Sequence, residues 1–343
     1  MSETNEIIRG AVIGYGAAFN QGKHHASLME QTEGIKLTAV CDLDVSRTIA
    51  AKKDFKGIQT FTSVDRMLAK AEIDLVAIVL PHNLHAPVSI QCSRAGKHVV
   101  IEKPMCISVD EATRMIIAAK ESGKMISVYH NRRWDADFCT LKKIVKSGVI
   151  GDVFRVEMWG GGYGKPNTEW WRGRKTPSGG SFYDWGAHYL DWLLGVVPEK
   201  MINVTGFFYD RVWTDVSNED HVEASIRFVN GAQATVVMSN IAKVGRPRWT
   251  VWGEKGAIVS EGKGFKVYSE LPDQPKEQVV EIDGSAWQNF YPSRYYENIV
   301  AHITKGEELI VTAEEARRVI AIIELAEKSS NTLQAEPVPY EFR

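Results

Sequence analysis

Cysteine is scarce in this 343-residue chain, with only Cys41, Cys92, Cys106 and Cys139. None forms a C-x-x-C pair and none combines with histidine at a zinc spacing, so neither a disulfide framework nor a metal site is expected. Isolated thiols among apolar neighbours suit a reducing compartment and a role as small core residues. An excess of one charge is also lacking. Lys and Arg total 41 against 43 Asp and Glu, a formal net charge of -2, which gives no electrostatic drive toward nucleic acid or an anionic membrane. No apolar run approaches the ~20 residues needed to span a bilayer. Residues 1–6 are polar and acidic, without the basic stretch and apolar run of a secretory signal, so a cytoplasmic protein is expected. What is present is ordinary globular material, 44% hydrophobic and 24% charged. The length calls for two domains, or for one large α/β unit with an appendage.

Residues 7–13 form a short apolar run ending in Gly14-Tyr15-Gly16. That reads as the first strand of a parallel sheet entering a tight turn, with a helix opening beyond it to about residue 30. A G-x-G-x-x-G fingerprint would put its third glycine at 19, where Phe19 stands. If residues 19–21 are inserted, Gly22 takes the third role. The next strand, 35–41, ends at Asp42. An acid there accepts both ribose hydroxyls of an adenosine and repels a 2′-phosphate, favouring NAD over NADP, although Arg47 leaves room for a phosphate. The competing reading of Asp42 is the N-cap of a helix starting near Val45.

The alternation then continues. Helices are expected at 63–70, 87–95 and 109–122, with Gly96 and Gly123 closing the last two, and buried strands at 75–80, 98–101 and 125–129. Repeated β-α-β with strands this apolar is a doubly wound parallel sheet. Ligands of such sheets sit past the carboxyl ends of the strands, where Gly14, Asp42, Pro81, Glu102 and His130 all fall.

A second concentration of chemistry lies at 178–192. Read as a helix after the Gly179-Gly180 entry, it places Asp184, His188 and Asp191 at i, i+4 and i+7, within an arc of roughly 60°. A histidine between two carboxylates is held in one tautomer with its imidazolium favoured, which suits a general base near neutral pH. The glycines, lacking Cβ atoms, let a ligand or another backbone approach the helix start. Ala187, Leu190 and Leu194 would seat the helix in a core. The competing reading is a surface helix with an i,i+4 Asp–His pair.

Just upstream, 153–159 alternates as a strand, 160–166 reads as a flexible glycine loop, and Trp170-Trp171-Arg172-Gly173-Arg174-Lys175 follows. Aromatic faces beside cationic donors suit a hydroxyl-rich ring, making Trp171, Arg172 and Lys175 candidate substrate contacts. The alternative is a basic solvated loop with core tryptophans. From 201 to 282 the period shifts to strands, at 201–209, 220–230, 232–241, 247–253, 256–260, 264–269 and 278–282. These make one large, mainly antiparallel sheet. Helices at 293–305 and 313–330 close the chain, the second capped by Thr312 with Glu315 completing a capping box. His221 and Tyr291 are single residues of the kind more often packed than functional.

With Glu102-Lys103-Pro104 in view, the sequence resembles the Gfo/Idh/MocA family of NAD(P)-dependent oxidoreductases over nearly its whole length. The resemblance rests on the Gly14–Gly16 turn, on Pro81 with His85, on Gly96-Lys97-His98-Val99, on Glu102-Lys103-Pro104, and on the helix stretch from Gly179 to Asp191. Residues 131–138 resemble the branch containing bacterial scyllo-inositol dehydrogenases. The resemblance implies an α/β N-terminal Rossmann domain (1–128) and an α+β C-terminal domain (129–343) for substrate binding and oligomerisation. The terminal helices would pack back on the first domain.

It implies cofactor contacts at Gly14, Gly16, Ala18, Phe19, Asp42, Pro81, His85, Glu102 and Lys103. It also implies catalytic roles for Lys103, Asp184 and His188, with Asn131 and Asp191 joining the substrate contacts. Lys103 would polarise the substrate oxygen and His188 would take the hydroxyl proton. The alternative for Lys103 is a surface lysine after a strand. The implied activity is hydride exchange between NAD, or less favourably NADP, and a secondary alcohol of a sugar, sugar derivative or cyclitol, in a homodimer or homotetramer built through the C-terminal sheet. Two other readings stay open: an NAD-dependent glycosidase working by oxidation, elimination and reduction, and a non-catalytic NAD-sensing regulator.

Overall fold

The structure is a computed structural model that describes residues 7–16, 19–167, 169–282 and 293–342. The chain divides into two compact units. One comprises Met1–His130 with Tyr291–Arg317, the other Asn131–Phe290 with Arg318–Arg343.

In the first unit the elements run β1 (Ile8–Ile13), α1 (Gln21–Gln31), β2 (Ile35–Cys41), α2 (Val45–Asp54), β3 (Gln59–Phe61), α3 (Val64–Lys70), β4 (Leu75–Ile78), α4 (His85–Arg94), β5 (His98–Ile101), α5 (Val109–Glu121) and β6 (Ile126–Val128). The strands form a parallel sheet in the order β3-β2-β1-β4-β5-β6. Order reverses between β1 and β4, the position where doubly wound sheets open a crevice at their carboxyl edge. β4 is buried at all four positions, as a strand covered on both faces must be.

The helices start where the sequence supplies caps. Asp44, not Asp42, is the N-cap of α2 and accepts from Ser46 N–H at 2.8 Å. Ser108 caps α5 through Glu111 N–H, and the Glu111 carboxylate returns to Ile107 N–H. The strand expected to reach 80 stops at Ile78. Pro81, lacking an N–H, then leads into a 3-10 turn at His82–Leu84.

In the second unit the order is α6 (Ala136–Lys146), β7 (Val153–Gly161), α7 (Lys175–Ser178), α8 (Trp185–Val196), β8 (Met201–Tyr209), β9 (His221–Phe228), β10 (Gln233–Ser239), β11 (Trp249–Gly253), β12 (Gly256–Glu261), β13 (Gly264–Ser269) and β14 (Glu277–Glu281). Two further helices follow. α9 (Ser293–Lys305) belongs to the first unit, and α10 (Ala313–Thr332) precedes the short strand β15 (Glu336–Pro337). The α10 capping box forms as expected, Thr312 Oγ1 accepting from Glu315 N–H at 3.2 Å and Glu315 accepting from Thr312 N–H at 3.3 Å.

Nine strands make one sheet, β14-β13-β12-β11-β7-β10-β9-β8-β15. It is antiparallel except for the parallel pair β7–β10. Part of the expected glycine loop is sheet: β7 runs through Gly161, and Tyr163 bridges Ile241. Gly161 has φ of +146°, and a Cβ there would stand 2.1 Å from Ser239 O, so only glycine lets β7 lie this close to β10. The core holds Phe138, Trp192 and Trp249, whose ring centroids lie 6.1–6.4 Å apart. Among the described residues no helix is long and apolar enough to cross a membrane.

Candidate active site

At the carboxyl edge of the parallel sheet the turn after β1 is shaped for close approach. Gly14 has φ of +96°, and a Cβ there would stand 1.9 Å from Val79 O. Gly16 faces open space, with nothing within 4 Å of a built Cβ. A Cβ on Gly22 would lie 2.2 Å from Gly14 O, so Gly22 does supply the close helix–strand contact that a third glycine serves. Phe19 and Asn20 both adopt positive φ, 56° and 50°, and Phe19 is exposed. Phe19 and Asn20 are thus looped out ahead of α1, which takes in the third inserted residue, Gln21. Ala18 lies outside the described residues.

Asp42, half-buried at the end of β2, accepts Tyr15 N–H at 2.6 Å and Asp44 N–H at 2.9 Å. Its carboxylate is thereby tied to the glycine turn. A glycine cradle with one open position and a fixed acid beyond the neighbouring strand fits an adenine dinucleotide, its pyrophosphate at Gly14–Gly16 and its ribose at Asp42.

Pro81 and His85 follow β4. His85 is fully buried, its Nδ1 2.8 Å from Pro104 O and its Nε2 2.9 Å from Leu80 O. The ring links the segment after β4 to the segment carrying Lys103. Burial pushes its pKa down, while the two carbonyls pull the other way. Glu102 is nearly buried and its Oε2 accepts Lys103 N–H at 3.0 Å. Its pKa shift has two opposed causes. Burial favours the neutral acid, but the hydrogen bond and charge of His25, with Lys103 and His85, outweigh it and the pKa falls.

In the second unit the entry to α8 differs from the expected simple helix. Gly179 and Gly180 have φ of +87° and +131°, Ser181–Tyr183 forms a 3-10 turn, and α8 begins at Trp185. Asp184 therefore stands outside the helix, at its N-cap position, with its backbone turned away from helical values. The glycines make room for side chains of the protein itself. A Cβ on Gly179 would meet the Tyr183 ring at 2.8 Å, and one on Gly180 the Glu219 carboxylate at 2.9 Å. α8 is not a surface helix with one seated stripe, because Gly186 to Leu194 are all buried.

His188 is 5% exposed, between the rings of Trp185 and Trp192 at 5.5 and 6.3 Å. Asp191, 3% exposed, accepts from Arg133 Nε at 2.9 Å and Arg133 Nη2 at 2.6 Å. Asp184 Oδ1 lies 3.8 Å from Arg172 Nε. Each carboxylate assigned to His188 by spacing thus has an arginine beside it.

The Trp170–Lys175 segment is neither a free basic loop nor buried core. Both tryptophans are half-buried, and the Arg172 guanidinium lies 4.7 Å from the Trp170 ring centre and 4.5 Å from that of Trp171. A cavity of about 240 Å³ opens here, lined by Trp170, Arg172, Asp184, Trp185, Asn218 and Asn240 among others. Lys175 is drawn elsewhere, its Nζ 2.5 Å from both Glu219 and Glu327. Asn131 opens a 3-10 turn at Asn131–Trp134 and is half-buried. His221 ends up on β9, its ring tilted against that of Tyr209 at 5.8 Å, while Tyr291 lies outside the described residues.

Family models match both halves of the chain. Residues 8–130 match the oxidoreductase family with the NAD-binding Rossmann fold, and residues 138–259 match the GFO/IDH/MocA C-terminal domain. The chain belongs to the Gfo/Idh/MocA oxidoreductase family. It is similar to the scyllo-inositol 2-dehydrogenase (NADP(+)) IolW of Bacillus subtilis, 27% identical over 351 residues covering 95% of this chain and 94% of that one. It is 26% identical to the inositol 2-dehydrogenase of Rhizobium meliloti, over 94% and 96% of the two chains. The structure of the oxidoreductase yvaA from Bacillus subtilis superposes with a TM-score of 0.86 at 26% identity, over 97% and 99% of the chains.

Several residues of these two regions carry no local signal in the sequence. Arg133 pairs with Asp191 across 58 positions, and Arg248 with Asp137 at 2.7 Å across 111. Glu219, which holds Lys175 and accepts from Ser181 N–H at 3.0 Å, lies 38 residues beyond that serine. The buried His25 lies on α1 among Gly22, Ala26, Leu28 and Met29 and meets Tyr296 across 271 positions.

Proposed function

We propose that this member of the family is an NAD-dependent dehydrogenase of a secondary alcohol in a sugar, sugar derivative or cyclitol. The observation that carries the substrate class is the cavity of the second unit. There the Arg172 guanidinium, the indoles of Trp170 and Trp185, the Asp184 carboxylate, and Asn218 and Asn240 surround about 240 Å³. Indole faces accept the C–H faces of a ring, while carboxylate and amide groups bind its hydroxyl edge. The full-length likeness to two relatives named as inositol dehydrogenases supports the same class.

Bound at the glycine turn, a nicotinamide dinucleotide supplies the hydride acceptor. The rest falls to the protein. Lys103 polarises the reacting oxygen with its ammonium, and His188 takes the hydroxyl proton. Arg172 and Asp184 orient the hydroxyls of the ring. Asp42 presents an anion where a 2′-phosphate would sit, which favours NAD even though IolW is named for NADP. The nine-stranded sheet leaves Phe154, Ile202, Phe207 and Val279 exposed, in keeping with a homodimer or homotetramer built through it.

The test is NADH or NADPH formation with scyllo-inositol, myo-inositol, aldoses and glycosides as probes. Net reduced cofactor with a polyol or sugar, faster with NAD, is expected. Release of free sugar from a glycoside without net NADH would overturn the dehydrogenase reading in favour of oxidation-elimination chemistry.

A further inference from the structure

Under the strand end that carries Lys103 runs a line of buried polar groups that the chemistry above does not use. His25, on α1, is fully buried. Its Nε2 lies 3.1 Å from Glu102 Oε1 and its Nδ1 lies 2.7 Å from the hydroxyl of Tyr296 on α9, itself fully buried. An ionised carboxylate only accepts, so Nε2 carries the proton toward Glu102, while Nδ1 shares the second hydrogen bond with the Tyr296 hydroxyl, which can donate or accept. Every polar atom of the imidazole is then satisfied. The other oxygen of Glu102 accepts the main-chain N–H of Lys103.

Three segments far apart in sequence meet in this line: α1, the end of β5, and α9. Aromatic rings pack around it. The His25 and Tyr129 ring centroids are 4.4 Å apart, and Tyr295 packs edge-on to Tyr129 at 4.8 Å. His25, His85 and Lys103 face Glu102, and His24, Tyr129 and Tyr296 face His25.

A buried carboxylate without its donor either protonates or turns toward water. In both cases the hydrogen bond to the Lys103 main chain weakens. We propose that His25 is a positioning residue for Lys103: through Glu102, and braced by Tyr296, it fixes the main chain from which the lysine side chain emerges. The proposal rests on the reading of Lys103 as the group that polarises the substrate oxygen.

The test compares His25→Leu, His25→Gln and Tyr296→Phe with Lys103→Met, all in the full chain. Misplacing a reacting group by an ångström costs about 10²-fold, so His25→Leu should lower kcat on the fastest polyol of the panel by roughly 10- to 10²-fold. NADH affinity, read by fluorescence titration, should stay within about 3-fold, well under one hydrogen bond to a charged group. The acid limb of the kcat profile should move to higher pH in His25→Leu, because Glu102 then titrates as a buried acid without its donor. His25→Gln, whose amide can still donate to Glu102, should recover most of the loss. Tyr296→Phe should give a smaller loss of the same kind.

Amide exchange of the segment 99–107 supplies a readout that needs no substrate. It should quicken in His25→Leu, stay near wild type in His25→Gln, and leave the segment 185–196 unchanged. Wild-type kcat, pH profile and exchange in His25→Leu, with Lys103→Met inactive, would overturn the proposal. If His25→Leu does not fold, wild-type behaviour of Tyr296→Phe together with unprotected exchange of 99–107 in the folded His25→Gln would do the same. A Lys103→Met enzyme that keeps its rate would remove the reading of Lys103 beneath it, a different failure recognised by that variant alone.

Discussion

The carboxyl edge of the parallel sheet and the ground around α8 handle polar chemistry by different means. At the sheet edge the backbone does most of it. Gly14 and Gly22 permit close approach, Gly16 leaves open space, and the acid Asp42 is held by the main-chain N–H groups of Tyr15 and Asp44. Around α8 side chains do it, in pairs. Asp135, Asp137, Asp191 and Glu219 each face a cation, namely Arg132, Arg248, Arg133 and Lys175. A backbone cradle tolerates most changes except an added Cβ, whereas a buried ion pair fails when either partner is removed alone.

The largest effects should come from the residues proposed to handle the hydroxyl. Lys103→Met and His188→Ala should each cut turnover by at least ~10², the usual share of a proton-handling group, while NADH still binds. Wild-type rates in both, followed by NADH absorbance, would remove the catalytic assignment. Next come the ion pairs. Asp191→Asn should destabilise the fold by about 3 kcal/mol, the low end for breaking a buried pair, since the Arg133 guanidinium that loses its carboxylate is only half-buried. The double variant Asp191→Leu/Arg133→Met should recover most of that, and urea melts would show it. Purely additive losses would mean that the pair is not a unit.

The sheet edge should respond in the opposite pattern. Gly14→Ala meets both an unfavourable φ and the Val79 carbonyl, and the backbone strain alone costs roughly 1–3 kcal/mol. Gly16→Ala meets open space and should change stability by no more than about 0.5 kcal/mol, yet still weaken NADH binding. Thermal melts beside NADH titrations separate the two. Equal melting losses would erase the distinction between a packing glycine and a ligand glycine. Asp42→Ala should weaken NAD roughly tenfold, about one charge-assisted hydrogen bond, and narrow the NAD/NADP gap. An unchanged ratio of the two dissociation constants would take Asp42 out of the ribose site.

The same contrast explains what was legible beforehand. The parallel sheet announces itself because its strands are continuous apolar runs and its turns are glycines, both local signals. Asp42, Glu102 and Lys103 were readable because each follows a strand directly. The helix with His188 and Asp191 was readable too, but its start was misplaced. Asp184 was counted inside a helix that begins one residue later, because Gly-Gly and a 3-10 turn spend residues that a simple 3.6-residue count assigns to helix. α6 and β15 were not anticipated at all. β15 is only two residues long, too short to show a period, whereas α6 does carry one, its buried Phe138, Leu141 and Ile144 falling at helical spacing; what is not local is the pairing of its Asp137 with Arg248. Pairing across a hundred residues leaves no periodicity to read, and the meeting of His25 with Tyr296 across 271 positions is of that kind.

The smallest effect, and the one that probes the second region most gently, belongs to Asp135. Burial lifts its carboxyl to about 6, although Arg132 at 3.1 Å pulls the other way. An unfolded aspartate titrates near ~3.9, so between about pH 4 and pH 6 the folded chain holds more proton here than the unfolded chain does. Stability from this group is full below that window, falls as pH rises through it, and levels off above. Asp135→Asn should flatten that fall without abolishing it, because burial raises Asp137 in the same direction. Urea midpoints collected across the window would check it. A slope unchanged by the substitution would mean that Asp135 is already ionised at the lower end, with its arginine outweighing its burial.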